Sequence, residues 1–455
     1  MIKYTVCAIF RAVERNPAMD LLFQNATVLT LCDDRPVLKG GYVGIAGGKI
    51  AFVGTAAPQE PAARTIDCRG KFLLPGLVNA HAHTAMCLMR GYADDYTLQD
   101  WLYQKIFPVE ARLDERAILA GARLGFAEML RTGTTSASDM YFREPAVAAL
   151  ALECGMRVSL SNAVLAFDEA AYDPETDRAI QETRALIRDF HGAGNGRIRA
   201  DAAIHAEYTS YPAVWRYVTE LALTHDLCLQ VHVSETRKEH EACIARRGVT
   251  PTRALYDAGV FQAKVLAAHG VWLTDEDMDI FAETGASVAH CPVSNLKLGS
   301  GIARMAEMKR RGVNVALGTD GCCSNNTHDL FEEVKLAALL QKGVSGDPTS
   351  VNAYEALKMA TVGGAKAQGR ENEIGRVAEG FDADLILIDA DSPLLRPVYD
   401  PVSTAVYSAT GRDVCLTMVQ GRILYENGQF TTIDVEQAMH EVESYAVPIV
   451  LGAQS

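Results

Sequence analysis

The stretch FLLPGLVNAHAH, residues 72–83, decides the fold that we assign to this chain. Its apolar run, Phe72–Asn79, predicts a buried β-strand, and two histidines separated by one residue follow that run. Because alternate residues of an extended chain point to the same side, His81 and His83 can face one point together. Imidazole nitrogens are common ligands of divalent metal ions, so this stretch predicts a metal site at the end of a strand.

Similar apolar runs recur along the chain, separated by stretches rich in Ala, Leu, Glu and Arg. This alternation is typical of parallel strands joined by helices. Eight such units would close a (β/α)8 TIM barrel, an α/β fold whose active site lies at the carboxyl ends of the strands. The predicted strands are Phe72–Asn79, Thr134–Asp139, Val158–Asn162, Ala202–Ile204, Leu227–Val231, Val265–Ala268, Ser287–Ala289 and Val313–Gly318.

Strand patterns also occur near both ends of the chain. Gly47-Gly48 between Tyr42–Ala46 and Lys49–Val53 is a hairpin signal, and Ala383–Asp389 and Cys415–Val419 have the same strand-like character. Two separated strand-rich ends predict one small β-sandwich domain assembled from both. The predicted boundaries are 1–18 for an N-terminal extension, 19–74 with 382–430 for the β-sandwich domain, 75–381 for the barrel and 431–455 for a C-terminal helical tail.

Composition limits the classes of function. The 455 residues include 57 acidic and 43 basic side chains, for a net charge of −14, which argues against binding to nucleic acid or to an anionic membrane. No uninterrupted apolar run is long enough to span a bilayer. The 11 cysteines are odd in number, scattered and without a Cys-x-x-Cys pair, so we expect reduced thiols in a cytoplasmic protein. The expected partner is a small-molecule substrate, and association into homo-oligomers is left open.

The residues at the strand ends carry the chemistry. A single histidine after an apolar run is usually a core or surface residue, but six of the 11 histidines lie at such ends. Neutral imidazoles from several strands together with one carboxylate suit a divalent ion such as zinc, which would lower the pKa of a bound water from about 15.7 to about 7. The residues at these ends are His81, His83, His205, His232 with Glu235, His269, His290 and Asp320.

These segments resemble the metal-dependent amidohydrolases and, more narrowly, the 5-methylthioadenosine/S-adenosylhomocysteine deaminases. The resemblance runs from about Asp20 to beyond Gly421. Pro-Gly-Leu followed by His-x-His is the strongest indication of the superfamily, and the other segments indicate the deaminase subgroup. The segments are Leu74–His83, Met89–Gly91, Leu98–Leu102, His232–Glu235, Ser294–Gly301, Gly318–Gly321 continuing to Ser324–Asn326, and Gly380–Leu385.

The resemblance implies roles for individual residues. One divalent ion, zinc before iron or manganese, would be held by His81, His83, His232 and Asp320. Binuclear relatives use a carbamylated lysine where this chain has His205, so one ion is the better interpretation. By the same matching, His269 orients the attacking water and His205 hydrogen-bonds the purine. The other implied substrate contacts are Trp101 against the substrate, Glu110 on the ribose hydroxyls and Ser324 on a ring nitrogen.

The implied reaction is hydrolytic deamination at C6 of an aminopurine nucleoside. Water loses a proton to Asp320 and attacks C6, Glu235 protonates the ring nitrogen, and ammonia leaves an inosine-type product. An acid that donates a proton at neutral pH needs a raised pKa, which a dry pocket and nearby negative charge can supply. The implied substrates are adenosine, 5′-deoxyadenosine and methylthioadenosine, with S-adenosylhomocysteine left open.

One position departs from the family. Some members have an arginine that binds the amino-acid carboxylate of S-adenosylhomocysteine, where this chain has Asn162. An asparagine cannot form a bidentate ion pair, although Arg143 or Arg157 could substitute. We therefore expect a preference for nucleosides with a small or neutral 5′ group.

Three other functions are consistent with parts of the sequence. His290–Asn295 also resembles guanine deaminases, so an aminohydrolase for guanine, a triazine or another aminated heterocycle is the main alternative. An amide-bond hydrolase and a catalytically inactive ligand-binding scaffold are the other two. Ordinary roles are also open for five residues: Trp101 in a hydrophobic core, Glu110 as a solvated helix acid, Glu235 as a solvated loop acid, Asp320 in a turn and Ser324 in a turn or helix cap.

Overall fold

The computed structural model describes residues 19–170 and 172–452, and the predicted extension 1–18 lies outside that range. The fold is mixed α/β. Its strands are β1 (Met19–Leu29), β2 (Val37–Ala46), β3 (Lys49–Gly54), β4 (Ala62–Asp67), β5 (Lys71–Pro75), β6 (Leu77–Ala82), β7 (Thr134–Tyr141), β8 (Arg157–Asn162), β9 (Ile198–Ala200), β10 (Ala202–Ala206), β11 (Cys228–Val233), β12 (Lys264–His269), β13 (Ser287–His290), β14 (Asn314–Leu317), β15 (Leu385–Asp389), β16 (Val414–Val419), β17 (Arg422–Glu426) and β18 (Gln429–Phe430).

Helices fill most of the intervals between these strands. The α-helices are α1 (Leu98–Asp100), α2 (Phe107–Glu110), α3 (Glu115–Arg131), α4 (Glu144–Cys154), α5 (Arg178–Phe190), α6 (Ala193–Gly196), α7 (Pro212–Thr224), α8 (Arg237–Arg247), α9 (Pro251–Asp257), α10 (Asp275–Thr284), α11 (Pro292–Lys297), α12 (Met305–Arg310), α13 (Cys322–Asn325), α14 (Leu330–Ser345), α15 (Ala353–Lys358), α16 (Gly364–Ala367), α17 (Pro401–Tyr407), α18 (Val435–Glu441) and α19 (Val447–Val450). Shorter 3-10 or π-helical turns are Thr84–Met89, Trp101–Ile106, Glu207–Thr209, Val260–Gln262, Met359–Gly363, Gly411–Asp413 and Val442–Ala446.

The central feature is a ring of parallel strands, which we call the parallel ring. Strands β6 to β9 pair in sequence order, and β10 to β14 do the same. Asp201 separates β9 from β10, and its N–H donates to Leu160 O at 2.8 Å, so the two short strands act as one. The ring closes where Asp320 N–H donates to His81 O at 3.0 Å. The carboxyl ends of all these strands therefore meet at one face.

The predicted strand Phe72–Asn79 is wrong as a single element, because it divides at Gly76 into β5 and β6. Strand β5 pairs with β1 and β15 in another sheet, whereas β6 belongs to the parallel ring. A Cβ atom on Gly76 would lie 2.1 Å from Thr135 Oγ1, so the chain can cross between the sheets here only with glycine.

The other seven predicted ring strands are confirmed with shifts of a few residues at their ends. The main difference is at the carboxyl ends, where β11, β12 and β13 extend to include His232, His269 and His290. Hydrogen bonding to neighbouring strands therefore fixes the backbone of these histidines. Most ring strands are buried on both faces, as expected for parallel strands covered by helices.

The strands of the two chain ends form a second sheet, in the order β18-β17-β16-β15-β5-β1-β2-β3 with β4 beside β1. The predicted hairpin is confirmed, since β2 and β3 are antiparallel and Gly47 and Gly48 both have positive φ. All nine strands belong to one hydrogen-bonded sheet, so the two-sheet sandwich is not confirmed. A separate apolar cluster, which includes Phe23, Ile45 and Leu385, packs within this sheet.

Among the described residues, no helix is both long and apolar enough to cross a membrane. Helices α18 and α19 follow the second sheet near the end of the chain, and Arg112 on the loop before α3 donates to Val450 O at 3.0 Å.

Candidate active site

Three histidines converge at the carboxyl ends of two ring strands. His81 lies in β6, His83 directly follows it, and His232 lies in β11; one ring nitrogen from each lies within 4.8 Å of the others. The Nδ1 atom of His83 lies 2.5 Å from Met140 O, and that of His232 lies 2.6 Å from His205 O. A carbonyl can only accept a hydrogen bond, so both Nδ1 atoms carry a proton, and both Nε2 atoms point into the site, where they are available as metal ligands.

Asp320 adds a carboxylate to this cluster. It follows β14 with a left-handed backbone, φ +62°, and its Oδ1 lies 3.2 Å from His83 Nε2 and 3.6 Å from His81 Nε2. Its other oxygen, Oδ2, accepts hydrogen bonds from Ser294 Oγ at 2.6 Å and Ser324 Oγ at 2.9 Å. The two hydroxyls therefore fix the carboxylate so that Oδ1 faces the histidines.

The donor set suits a metal ion. The Nε2 atoms of His83 and His232 lie 3.4 Å apart, so that one ion could be bound by both. His81 Nε2 is buried and has no hydrogen-bond partner among the described residues. Three imidazole nitrogens and one carboxylate oxygen are ligands that a single divalent ion such as zinc would accept.

Glu235 and His269 lie beside the cluster. Glu235 is 5% exposed, its Oε1 accepts from Ser300 Oγ at 3.1 Å, and its Oε2 lies 3.7 Å from His269 Nε2. Burial, reinforced by the charge of Asp320, raises the pKa of Glu235 above its ordinary value. His269 also has a left-handed backbone, φ +71°, and donates from Nδ1 to Asn295 Oδ1 at 3.0 Å. The raised pKa of Glu235 is the property that proton donation at neutral pH requires.

These groups open into one largely apolar cavity. Glu110 lines it too, and burial raises the pKa of that carboxyl to about 7. His205 faces the same space, and burial lowers its pKa to about 3, so its imidazole is neutral at physiological pH. The remaining lining consists of Met86, Leu98, Trp101, Leu102, Ile106, Phe107, Met140, Tyr141, Phe142, Ala163, Leu165, Tyr208 and Leu298, with His83, His232, Glu235, His269 and Asp320 at the polar end.

The structure brings together most of the site residues suggested by the sequence. Trp101, Glu110 and His205 line the cavity with Glu235, His269 and Asp320. Ser324 does not line it, because its buried hydroxyl donates to Asp320 Oδ2. His290 is buried outside the lining, and neither of its ring nitrogens has a partner among the described residues.

Sequence reasoning missed several residues of the site. Ser294, Asn295 and Ser300 bind Asp320, His269 and Glu235 respectively, and all three lie in the segment Ser294–Gly301 that carried the family resemblance. That motif was an available signal for them. Tyr141 and Tyr208 also line the cavity, but nothing in their local sequence distinguishes them from core aromatics.

Of the two arginines considered as carboxylate ligands, Arg157 is excluded by its position. It is the first residue of β8, at the amino end of the ring, and it donates to Asp382 and Asp384. Arg143 lies at the carboxyl end, where it lines a second cavity together with Asn162. Its guanidinium donates to Glu182 at 3.0 Å, so an acid within the protein already neutralises it.

Comparisons with known proteins agree with this geometry. Residues 72–424 match the model of the amidohydrolase family. A 5-methylthioadenosine/S-adenosylhomocysteine deaminase of Acetivibrio thermocellus is 42% identical over 434 residues, 94% of this chain and 99% of that protein. A 5′-deoxyadenosine deaminase of Methanosarcina mazei is 41% identical over 436 residues, covering 96% and 100%. The crystal structure of an adenosine deaminase from Xanthomonas campestris with bound zinc is 33% identical, covers 95% of this chain and 98% of that one, and superposes with a TM-score of 0.88.

Proposed function

The chain belongs to the amidohydrolase family, hydrolases that act on C–N bonds, and we propose that it hydrolytically deaminates adenosine-type nucleosides to inosine-type products and ammonia. The proposed substrates are adenosine, 5′-deoxyadenosine and methylthioadenosine. One observation carries the proposal: a single cavity is lined by Glu235, whose buried carboxyl can donate a proton, and by Glu110, a second, half-buried acid suited to ribose hydroxyls. The names of the relatives at about 40% identity support the same substrate class.

For the cofactor we propose one divalent ion held by His81, His83, His232 and Asp320. Zinc is the first choice, with iron(II) and manganese(II) as alternatives, because ligand type alone does not fix which ion a cell supplies. The zinc found in the similar adenosine deaminase supports this choice. Such an ion supplies Lewis acidity and brings the pKa of water near 7.

The proton transfers are assigned to two carboxyl groups. Asp320 accepts the proton of the attacking water, and its Oδ2, held by two serine hydroxyls, cannot turn away. Glu235 donates its proton to the purine ring nitrogen as C6 becomes tetrahedral. Asp320 then passes the proton that it took from water to the amino group, and the C–N bond breaks to release ammonia. The C6 hydroxyl loses its proton to Glu235 as the carbonyl forms, which restores both carboxyl groups. His269 orients the water through Nε2, because Asn295 holds its Nδ1 proton.

Four residues are proposed to bind the substrate. Trp101 packs against the nucleoside, Glu110 accepts from the ribose hydroxyls, and neutral His205 hydrogen-bonds the purine. Ser324 stays a proposed contact to a ring nitrogen, although its hydroxyl already donates to Asp320. With Asn162 in place of an arginine and Arg143 neutralised by Glu182, we propose weaker binding of S-adenosylhomocysteine than of nucleosides with neutral 5′ groups.

We also propose the architecture and setting of the enzyme. The parallel ring is a (β/α)8 barrel over 75–381, the strands of 19–74 and 382–430 form the accessory β-domain, and 431–455 is a helical tail. Ten free cysteines in the described part of the chain, eight of them buried, support a reducing compartment such as the cytoplasm.

A panel of substrates tests the proposal. Ammonia release and the change from adenine-type to hypoxanthine-type absorbance should be followed for adenosine, 5′-deoxyadenosine, methylthioadenosine, S-adenosylhomocysteine and guanine. We expect turnover of the three neutral nucleosides and little on S-adenosylhomocysteine. Activity on guanine alone would support the alternative aminohydrolase, and no activity on any of the five would refute the substrate assignment.

A further inference from the structure

The segment that carries Glu235 is hydrogen-bonded to a buried acid, Glu239, which has no part in the proposed reaction. Strand β11 ends at Val233, and helix α8 begins at Arg237, so Glu235 lies on a three-residue connection between them. Ser234 in this connection has a left-handed backbone, φ +50°, which a non-glycine residue adopts only when its surroundings impose it. Something must therefore hold this short segment in place.

Glu239 makes the contacts that hold it. Its Oε1 accepts from the N–H of Ser234 at 3.0 Å, and its Oε2 accepts from the N–H of Glu235 at 2.8 Å and of Thr236 at 3.4 Å. One carboxyl group thus binds all three backbone amides of the connection. The side chain is 5% exposed, so water is largely excluded as a competing partner.

Three backbone hydrogen bonds to one carboxyl group are more than helix capping requires. Thr236 and Glu239 form a capping box at the start of α8, and similar boxes occur at α10 and α15. In those two boxes the acids, Asp277 and Glu355, each accept a single backbone N–H. The two additional bonds of Glu239 go to the residue that bears the proposed proton donor and to its neighbour.

We infer that Glu239 is a positioning residue that fixes the backbone beneath Glu235 and thereby aims its carboxyl between His269 and the substrate. This inference rests on the proposed role of Glu235 as proton donor. A shift of that carboxyl would break its 3.1 Å contact with Ser300 and misplace the proton. Displacements of about 1 Å can cost about a hundredfold in rate, so the effect should appear in kcat.

The first test compares Glu239→Ala and Glu239→Gln with Glu355→Ala. Glu355 supplies the same capping box to α15, away from the cavity lining, and so controls for the loss of a cap. With 5′-deoxyadenosine we expect kcat to fall about 10- to 100-fold in Glu239→Ala, with KM changed less than about threefold. Glu239→Gln keeps one acceptor oxygen and should lose less, and Glu355→Ala should keep its kcat. Normal kcat in both Glu239 variants would overturn the inference.

A double mutant separates positioning from a general structural effect. If Glu239 acts through Glu235, then adding Glu239→Ala to Glu235→Gln should lower kcat no further, because the donor is already absent. A further loss of the same size as in the wild-type background would show that Glu239 acts elsewhere and would overturn the inference.

Amide hydrogen exchange tests the contact without using activity. The amides of Ser234, Glu235 and Thr236 should exchange slowly in the wild type, faster in Glu239→Ala and unchanged in Glu355→Ala. Unchanged exchange in Glu239→Ala would overturn the inference. If the wild type deaminates no nucleoside, the proposed function fails, and this exchange measurement still decides whether Glu239 holds the segment.

Discussion

The two ends of the parallel ring differ in how their buried polar groups are paired. At the amino end, Arg157 donates from Nε and Nη2 to both oxygens of Asp384, at 2.7 and 3.0 Å, and to Asp382 at 2.7 Å. At the carboxyl end, His81 Nε2 and Trp101 Nε1 are buried without partners among the described residues. The amino end also has unpartnered atoms, such as Arg157 Nη1, but that guanidinium is already paired with two carboxylates.

This contrast distinguishes buried groups that are paired within the fold from buried groups that are available to bind a ligand. A buried charge is tolerated when an opposite charge within the chain pairs with it, and such a pair needs no ligand. Buried groups that lack a partner need one from outside the chain, and at the carboxyl end a metal ion and a substrate would supply it. Substitutions at the amino end should therefore change stability, and those at the carboxyl end should change activity.

The largest expected effect follows removal of the metal. Dialysis against a chelator should lower turnover at least about 10³-fold, because the ion supplies several kcal/mol of transition-state stabilisation. Zinc should restore it, as measured by ammonia release and metal analysis. His232→Ala should not be restored, whereas His225→Ala, which alters a histidine at the end of α7 outside the site, should behave as the wild type. Undiminished turnover by metal-free protein would contradict the prediction.

The amino end should respond in stability alone. Arg157→Ala would leave the carboxylate of Asp384 buried without its counter-ion and Asp382 paired with Lys49 alone, at a cost of about 3–5 kcal/mol in the free energy of unfolding. Urea unfolding measures the loss, and kcat of the folded fraction should stay near the wild-type value. Arg188→Ala breaks an exposed pair with Asp189 and should cost less than about 1 kcal/mol. Equal losses in the two variants would remove the distinction between the ends.

Glu235→Gln should lower activity and leave stability unchanged, the reverse of what we expect for Arg157→Ala. The amide cannot donate a carboxyl proton, so turnover should fall at least about 100-fold while metal content and the unfolding midpoint hold. Steady-state kinetics and thermal unfolding on the same preparation provide the comparison. Near-normal turnover would remove Glu235 from the mechanism.

The smallest expected effect is the dependence of kcat/KM on pH. The pKa of Glu110 is raised to about 7 by burial, so its carboxyl is mostly neutral at pH 6 and mostly ionised at pH 8. An acceptor for two ribose hydroxyls should be ionised, so kcat/KM should rise about tenfold over that interval. In Glu110→Gln this rise should disappear and kcat/KM should be low throughout. A wild-type profile that is flat between pH 6 and 8 would argue against ribose binding by Glu110.

Most of the ring and of its site could be predicted because local patterns encode them. Apolar runs mark strands wherever both faces are covered, and the histidines at the ends of those runs lie where parallel strands place their active-site residues. The division at Gly76 could not be predicted, because Phe72–Asn79 is apolar on both sides of it. Only the neighbours differ, with β15 beside one half and β7 beside the other.

Sequence alone determined which groups this protein offers: imidazoles and carboxyls at strand ends, glycine where two sheets cross, and no excess of positive charge. The tertiary structure decided which of them meet. Ser300 reaches Glu235 across 65 positions of sequence, and Asn79 reaches Thr319 across 240. Folding of the ring brings these residues together, and the removal of Glu235 and much of Glu110 from water raises the pKa values of both carboxyls. Burial and partners depend on the whole fold, so the reactivity of each group is a property of the tertiary structure.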